Sequence, residues 1–246
     1  MKRYFVFVLL PILAGCAGIA GDQWRWMDDP EAPRWVQLEA NFDDLVITFR
    51  VPARADGFTS RVRSSRSLFA GTGPVVIDVP VRTVFQATGV STFHWDYWWG
   101  GFMKGSGADF VLSVSVSYYG AEESRSFLDM PPRDFIDWRR DQWIARFTDS
   151  DGQLTDAGKR FFRSYGIDVH ESAKGLKWAL EKWPLTNRSI DLMVPLSEDH
   201  VLHFDFFINE ESRGGLDPDP AWAVRRWQMA YRILDTVEIT PRRGRF

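Results

Sequence analysis

"ADFVLSVSVSYY", residues Ala108 to Tyr119, alternates with a period of two. Leu112, Val114, Val116 and Tyr118 fall on one face and Ser113, Ser115 and Ser117 on the other, because successive side chains of a strand point to opposite sides. One apolar and one hydroxyl face marks an antiparallel strand covered on one side, since strands of a parallel sheet are buried on both faces and read as continuous apolar runs. The stretch therefore directs the fold toward antiparallel sheet.

Upstream, "LVITFRVP" (Leu45 to Pro52) alternates in the same way, and "WVQLEA" (Trp35 to Ala40) precedes it with Asn41, Asp43 and Asp44 as turn residues, which predicts a hairpin. "VVIDVPV" (Val75 to Val81) is a further strand. Residues 53–73 are rich in Arg, Ser and Gly without a strong period and read as an exposed loop. Arg61, Arg63 and Arg66 within it are solvated cations or, alternatively, a clamp for an anionic group such as a lipid or polysaccharide phosphate. "FHWDYWWGGFMKGSG" (Phe93 to Gly107) bunches Trp95, Trp98 and Trp99 beside Gly100 and Gly101. These rings either pack between strands or form an aromatic platform for a sugar ring or a hydrophobic partner.

Downstream the composition changes. "MPPRDFIDWRRDQWIARF" carries two prolines, Asp134 as a cap and a helical body over Phe135 to Phe147. At 100° per residue Ile136, Trp143, Ile144 and Phe147 share a face and Trp138 points away, so this helix either exposes a tryptophan or packs on two sides. A second short helix is expected from Thr155 to Tyr165, with Gly166 as its left-handed stop. "GLKWAL" (Gly175 to Leu180) fits both periods and is assigned to a strand, because Gly175 weakens a helix. "SIDLMVPLSEDHVLHFDFFIN" is a hairpin turning at Ser197, Glu198 and Asp199. Asp219 and Pro220 then begin a helix with a polar stripe of Arg225, Gln228, Arg232 and Asp235, and apolar residues, Val224 among them, over the rest. Arg226 is the one charge inside that apolar arc and either snorkels along its methylenes or pairs with a carboxylate. "TVEI" closes the chain as a short strand. Strands, helices, strands, helix, strand is an α+β order: antiparallel sheet with a helical insertion and a buried C-terminal amphipathic helix.

The amino terminus carries a different signal. Lys2 and Arg3 precede an apolar run from Tyr4 to Leu13, too short to span a bilayer at about 20 residues and broken by Pro11, with small residues behind it. Leu13-Ala14-Gly15-Cys16 resembles the lipobox of bacterial lipoproteins. That resemblance implies that the Cys16 thiol receives a diacylglycerol group, that residues 1–15 are removed as a signal peptide, and that the new amino terminus is acylated. In that family an aspartate after the cysteine often retains the protein in the inner membrane. Ala17 stands here instead, which implies the outer membrane, facing the periplasm. Residues 16–23 form a short tether and residues 24–246 the folded α+β domain, with a subdivision expected near 130–170. Trp24 and Trp26 follow the tether and either meet the bilayer interface or pack on the domain. The end of the chain, hairpin then amphipathic helix then strand, also resembles sheet-and-helix domains of the PsbP type, a likeness that carries no site residue across.

Removal of residues 1–15 takes away two cations and leaves 28 Lys+Arg against 33 Asp+Glu, net −5. This balance gives no footprint for nucleic acid, which needs a clear cationic excess. With the one cysteine lipidated, no thiol remains for disulfides or metal thiolates, and the fold rests on an apolar core. His94 with Asp96, and His203 with Asp205, share strand faces at two-residue spacing, where a carboxylate can orient an imidazole. His94, His170, His200 and His203 lack metal-ligand spacing on a common helix. No HExxH, nucleophile elbow or phosphate-binding glycine loop is present, and no cofactor or metal is expected. The twelve tryptophans favour binding, because tryptophan is prominent in interface hot spots. The sequence thus points to a lipid-anchored, non-enzymatic envelope protein that binds another envelope protein or a polysaccharide. It would act as an assembly factor or as a toxin-neutralising immunity lipoprotein, with an envelope hydrolase using His203 and Asp205 as the rival.

Overall fold

The computed structural model describes residues 35–53, 61–64, 75–82, 87–101, 104–119, 127–128, 130–163, 165–182, 189–211 and 220–242. Its longest hairpin joins β5 (Ala87–Gly101) to β6 (Lys104–Tyr118), with Phe93 opposite Leu112 and Trp95 opposite Phe110. Around it stands a seven-stranded sheet in the order β3-β5-β6-β10-β9-β8-β7. Its other strands are β3 (Arg61–Ser64), β7 (Gly166–Glu171), β8 (Lys177–Lys182), β9 (Ser189–Pro195) and β10 (His200–Glu211), and each neighbour pairs antiparallel. A four-stranded sheet in the order β11-β2-β1-β4 contains β1 (Trp35–Phe42), β2 (Leu45–Pro52), β4 (Val75–Val79) and β11 (Glu238–Pro241). Here β4 runs parallel to β1, which a purely antiparallel reading does not anticipate.

The two sheets share one core. Leu38, Ala40, Ile47 and Phe49 enter it from the smaller sheet, and Phe93, Leu112, Val114, Leu192, Phe204 and Phe206 from the larger. Phe49 bridges them by edge-on contacts with Phe93 and Phe204 at 6.4 and 5.1 Å between centroids. These are the favoured T-shaped geometries of aromatic rings. The β6 alternation is realised as read: Phe110, Leu112, Val114 and Val116 are buried, and Ser113, Ser115 and Ser117 lie on the more open face.

The last helix, α3 (Pro220–Leu234), reaches both β2 and β10 and closes this core with Met229, Ala230, Ile233 and Leu234. Arg226 belongs to the same stripe, one turn earlier, and is wholly enclosed, so it does not snorkel to the surface. The apolar arc is narrower than the angular map implies, because Val224 is exposed.

The helical insertion consists of α1 (Pro132–Arg146) and α2 (Asp156–Phe162), which is capped by Thr155 through its hydroxyl to the Gly158 amide. The first helix lies on β7 and β8, on the face of the large sheet opposite the shared core. There Phe127, Phe135, Ile136, Ala179, Met193 and Val201 make a second cluster. Trp138 packs against Phe127 and Phe135, so the helix is packed on two sides.

Three local expectations are corrected. Arg61 and Arg63 sit in β3, paired with β5 opposite Asp96 and His94, because an edge strand needs only four residues of pairing and no apolar face to form; Arg66 lies outside the described residues. Gly166 does not take a left-handed conformation but opens β7 opposite Lys182. Gly175 is the glycine that does, at φ 79°, in the turn where its amide donates to the Ser172 carbonyl between β7 and β8. Among the described residues no helix is long and apolar enough to cross a membrane.

Candidate functional site

The helix-covered face of the large sheet carries more charge than a buried face ordinarily tolerates. Register places Ser113 of β6, Asp205 of β10, Asp191 of β9 and Glu181 of β8 side by side in one row across four strands. In an antiparallel sheet such directly opposed residues have Cβ atoms only about 5 Å apart, and like charges there repel. Alternation forces the arrangement, since Trp178, Leu180, Ile190, Leu192, Phe204 and Phe206 must face the shared core. Their neighbours Glu181, Asp191 and Asp205 then share the other face.

The three carboxylates are compensated unequally. Glu181, 1% exposed, accepts from the Arg139 guanidinium at 3.1 Å, from the Trp143 indole N–H at 2.8 Å and from the Tyr165 hydroxyl. Arg139 and Trp143 come from α1 and Tyr165 from the end of the helical unit, so one buried acid fastens that unit to β8. Burial, then the Glu181 charge and hydrogen bond, hold the Tyr165 hydroxyl well above its ordinary range.

Asp191 is bound by His203, whose Nδ1 lies 2.9 and 3.2 Å from its two carboxylate oxygens. A carboxylate at Nδ1 keeps the proton there and leaves Nε2 as acceptor. That nitrogen receives the Tyr119 hydroxyl at 3.3 Å. The Tyr119 pKa is pushed up to about 12, first by burial, against the lowering effect of Arg139. Its ring stands edge-on to Trp138 at 5.4 Å and beneath the Arg139 guanidinium at 5.7 Å. Such cation–π contacts contribute about 0.5–2 kcal/mol.

Asp205 is the third acid. It is exposed to water at the surface, and its carboxyl is pushed up to about 7, first by partial desolvation among its neighbours and second by the Asp191 charge, with His203 opposing.

The anticipated pairing of His203 with Asp205 is thus replaced by His203 with Asp191, across the strands and not along one. His203 stands opposite Met193, so Asp191 is its diagonal neighbour on β9, and diagonal pairs of an antiparallel ladder lie within reach of long and aromatic side chains. Of the other expected pair, His94 stands opposite Val111 and Asp96 opposite Asp109, and the Asp96 side chain lies outside the described residues. His200 lies at the β9–β10 turn, where Nδ1 meets Asp199 at 2.6 Å and Ser197 at 2.9 Å, and Nε2 meets the Arg82 carbonyl at 2.9 Å. No group of three or more His, Cys, Asp or Glu among the described residues is arranged to hold a metal ion.

Of the expected binding tryptophans, Trp95 is fully buried, lies nearly parallel to Phe93 and donates its indole N–H to the Pro52 carbonyl at 3.1 Å. It joins the core and offers no face to a ligand. Trp98 and Trp99 continue β5 opposite Gly107 and Ser106, and their side chains lie outside the described residues, as do Trp24, Trp26 and Cys16. No family model, curated protein or solved structure matches the chain.

Proposed function

We propose that the chain is a lipid-anchored protein of the bacterial cell envelope that acts by binding another envelope macromolecule, a protein or a polysaccharide. The observation that carries this reading is the run Leu13-Ala14-Gly15-Cys16, with the only cysteine of the sequence at its end. An acylated cysteine places the domain at the membrane surface, because two or three acyl chains anchor stably where one does not. Ala17 favours the outer membrane, facing the periplasm.

The geometry of the titratable cluster supports binding over turnover. Both ring nitrogens of His203 are engaged within the protein, by Asp191 and by Tyr119, and the Glu181 carboxylate is occupied by three donors. Such groups hold structure and are not presented to a substrate.

A hydrolase is the second reading, and one observation favours it. Asp191 orients the His203 imidazole as the acid of a nucleophile–histidine–acid triad does, and Ser115 stands directly opposite His203 on β6. Tyr119, not Ser115, holds Nε2, which places the reading second.

Chemical crosslinking in intact envelopes followed by purification separates the two. The expected result is one specific partner, whose identity distinguishes an assembly role from neutralisation of a toxin. Absence of any specific partner, together with a hydrolytic activity lost in a stably folded His203→Ala variant, overturns the proposal in favour of the hydrolase.

A further inference from the structure

A chain of contacts leads from the open edge of the carboxylate row to the helical unit. Asp205 faces Asp191 across the β9–β10 ladder, both oxygens of Asp191 hold His203, His203 holds Tyr119, and Tyr119 carries Trp138 and Arg139 of α1. The charges do not balance along it. Of the three acids, Glu181 is met by the Arg139 cation and Asp191 by the His203 Nδ1–H, and among the described residues no hydrogen bond or ion pair to Asp205 is found. The charged or titratable groups facing Asp205 are Asp191 from β9 and His203 from its own strand. Ser113 of β6, opposite Asp205 on the other side, is uncharged. Glu181, Arg139 and Tyr119 lie one step further along the chain.

The geometry points to a proton-operated clasp: proton uptake by Asp205 tightens α1 on the seven-stranded sheet, and proton release loosens it. A charged Asp205 sets two anions opposite each other in adjacent strands and weakens the Asp191–His203–Tyr119 chain on which the helix rests. A neutral Asp205 removes that repulsion and supplies an O–H donor beside Asp191. The inference stands apart from the proposed function, and its test does not involve the lipid or a partner.

The sign follows from the position of the group. A carboxyl whose pKa is raised in the folded state contributes stability that is complete below the ordinary carboxylate range and is lost as pH climbs to about 7. Hydrogen exchange of the full chain in detergent, corrected for intrinsic rates, reads the effect locally. Between pH 8 and pH 6 the opening constant of the amides of α1 should fall by up to about tenfold, an upper value because Asp205 is exposed and water screens its charge. Amides of the β1–β2 hairpin in the other sheet serve as the internal reference and should not follow. Asp205→Asn keeps the shape and removes the titration, so its α1 amides should be protected at both pH values with the pH dependence gone. An Asp205→Asn chain with the parent pH dependence overturns the clasp, as does a parent in which α1 and the β1–β2 hairpin respond alike. If Asp205→Asn proves unstable, carboxyl-carbon NMR of the parent decides. Titration of Asp205 in step with the α1 chemical shifts upholds the clasp, and titration in the ordinary carboxylate range overturns it.

Discussion

Glu181 shows how one side chain can fix a whole unit. It lies in "WALEKW", where a single acid interrupts an apolar strand, and it is nearly inaccessible to water. Taking a carboxylate out of water is costly unless charge and hydrogen bonds replace the solvent, and Arg139, Trp143 and Tyr165 do so together. Glu181→Ala strands the guanidinium and the phenol in the same site. The expected loss is about 3–5 kcal/mol in chemical denaturation, the range for breaking a buried pair from one side. Glu181→Gln keeps an acceptor while removing the charge and should cost less. Equal, small losses from both substitutions would show that the helical unit is held by its apolar cluster alone.

At the scale of elements, the helical unit depends on one close approach. A Cβ on Gly158 of α2 would lie 2.8 Å from the Phe147 Cβ and 3.3 Å from the Phe147 carbonyl oxygen, at the end of α1. The two helices meet where only a hydrogen fits. Gly158→Ala should therefore destabilise the protein by about 1–3 kcal/mol, as overpacking does, although alanine is the better helix former. Gly89→Ala, where nothing lies within 4 Å, is the control, and similar melting temperatures for the two variants would contradict the close approach. The elements themselves were largely legible. Periods of two announced β2 and β6, and apolar runs flanking turn residues announced β1 and the β9–β10 hairpin, because those signals are local. The β4 crossover, the short β3 strand and the left-handed turn at Gly175 were not, since pairing partners are chosen at long range. The caps were misplaced, since Asp134 lies inside the first turn of α1, whose N-cap is Pro131, and α2 is capped by Thr155 and does not run to Gly166. The candidate site was half legible. His203 stood out by its neighbour at two-residue spacing, but its partner Asp191 lies on another strand. Arg139 and Trp143 are 42 and 38 residues from Glu181, distances at which no pattern in the chain joins them. The signal available was an isolated acid in each of two apolar strands, Glu181 and Asp191, which in a buried strand requires a partner.

On the scale of the whole molecule, two sheets share a core rich in aromatic rings, α3 closes it, and a helical unit is clasped to the far face through buried acids. A body built in this way stands on its packing, since a chain with one cysteine forms no disulfide within itself. Everything proposed about where it works rests on Cys16. The most direct measurement is the intact mass and amino-terminal fragment of the protein purified from the envelope of a bacterial host that processes lipoproteins. The account predicts a chain that begins at Cys16, carries a thioether-linked diacylglycerol on its sulfur, and loses both cleavage and lipid in the Cys16→Ser variant. A chain that retains residues 1–15, or is cut elsewhere with a free Cys16 thiol, would contradict it.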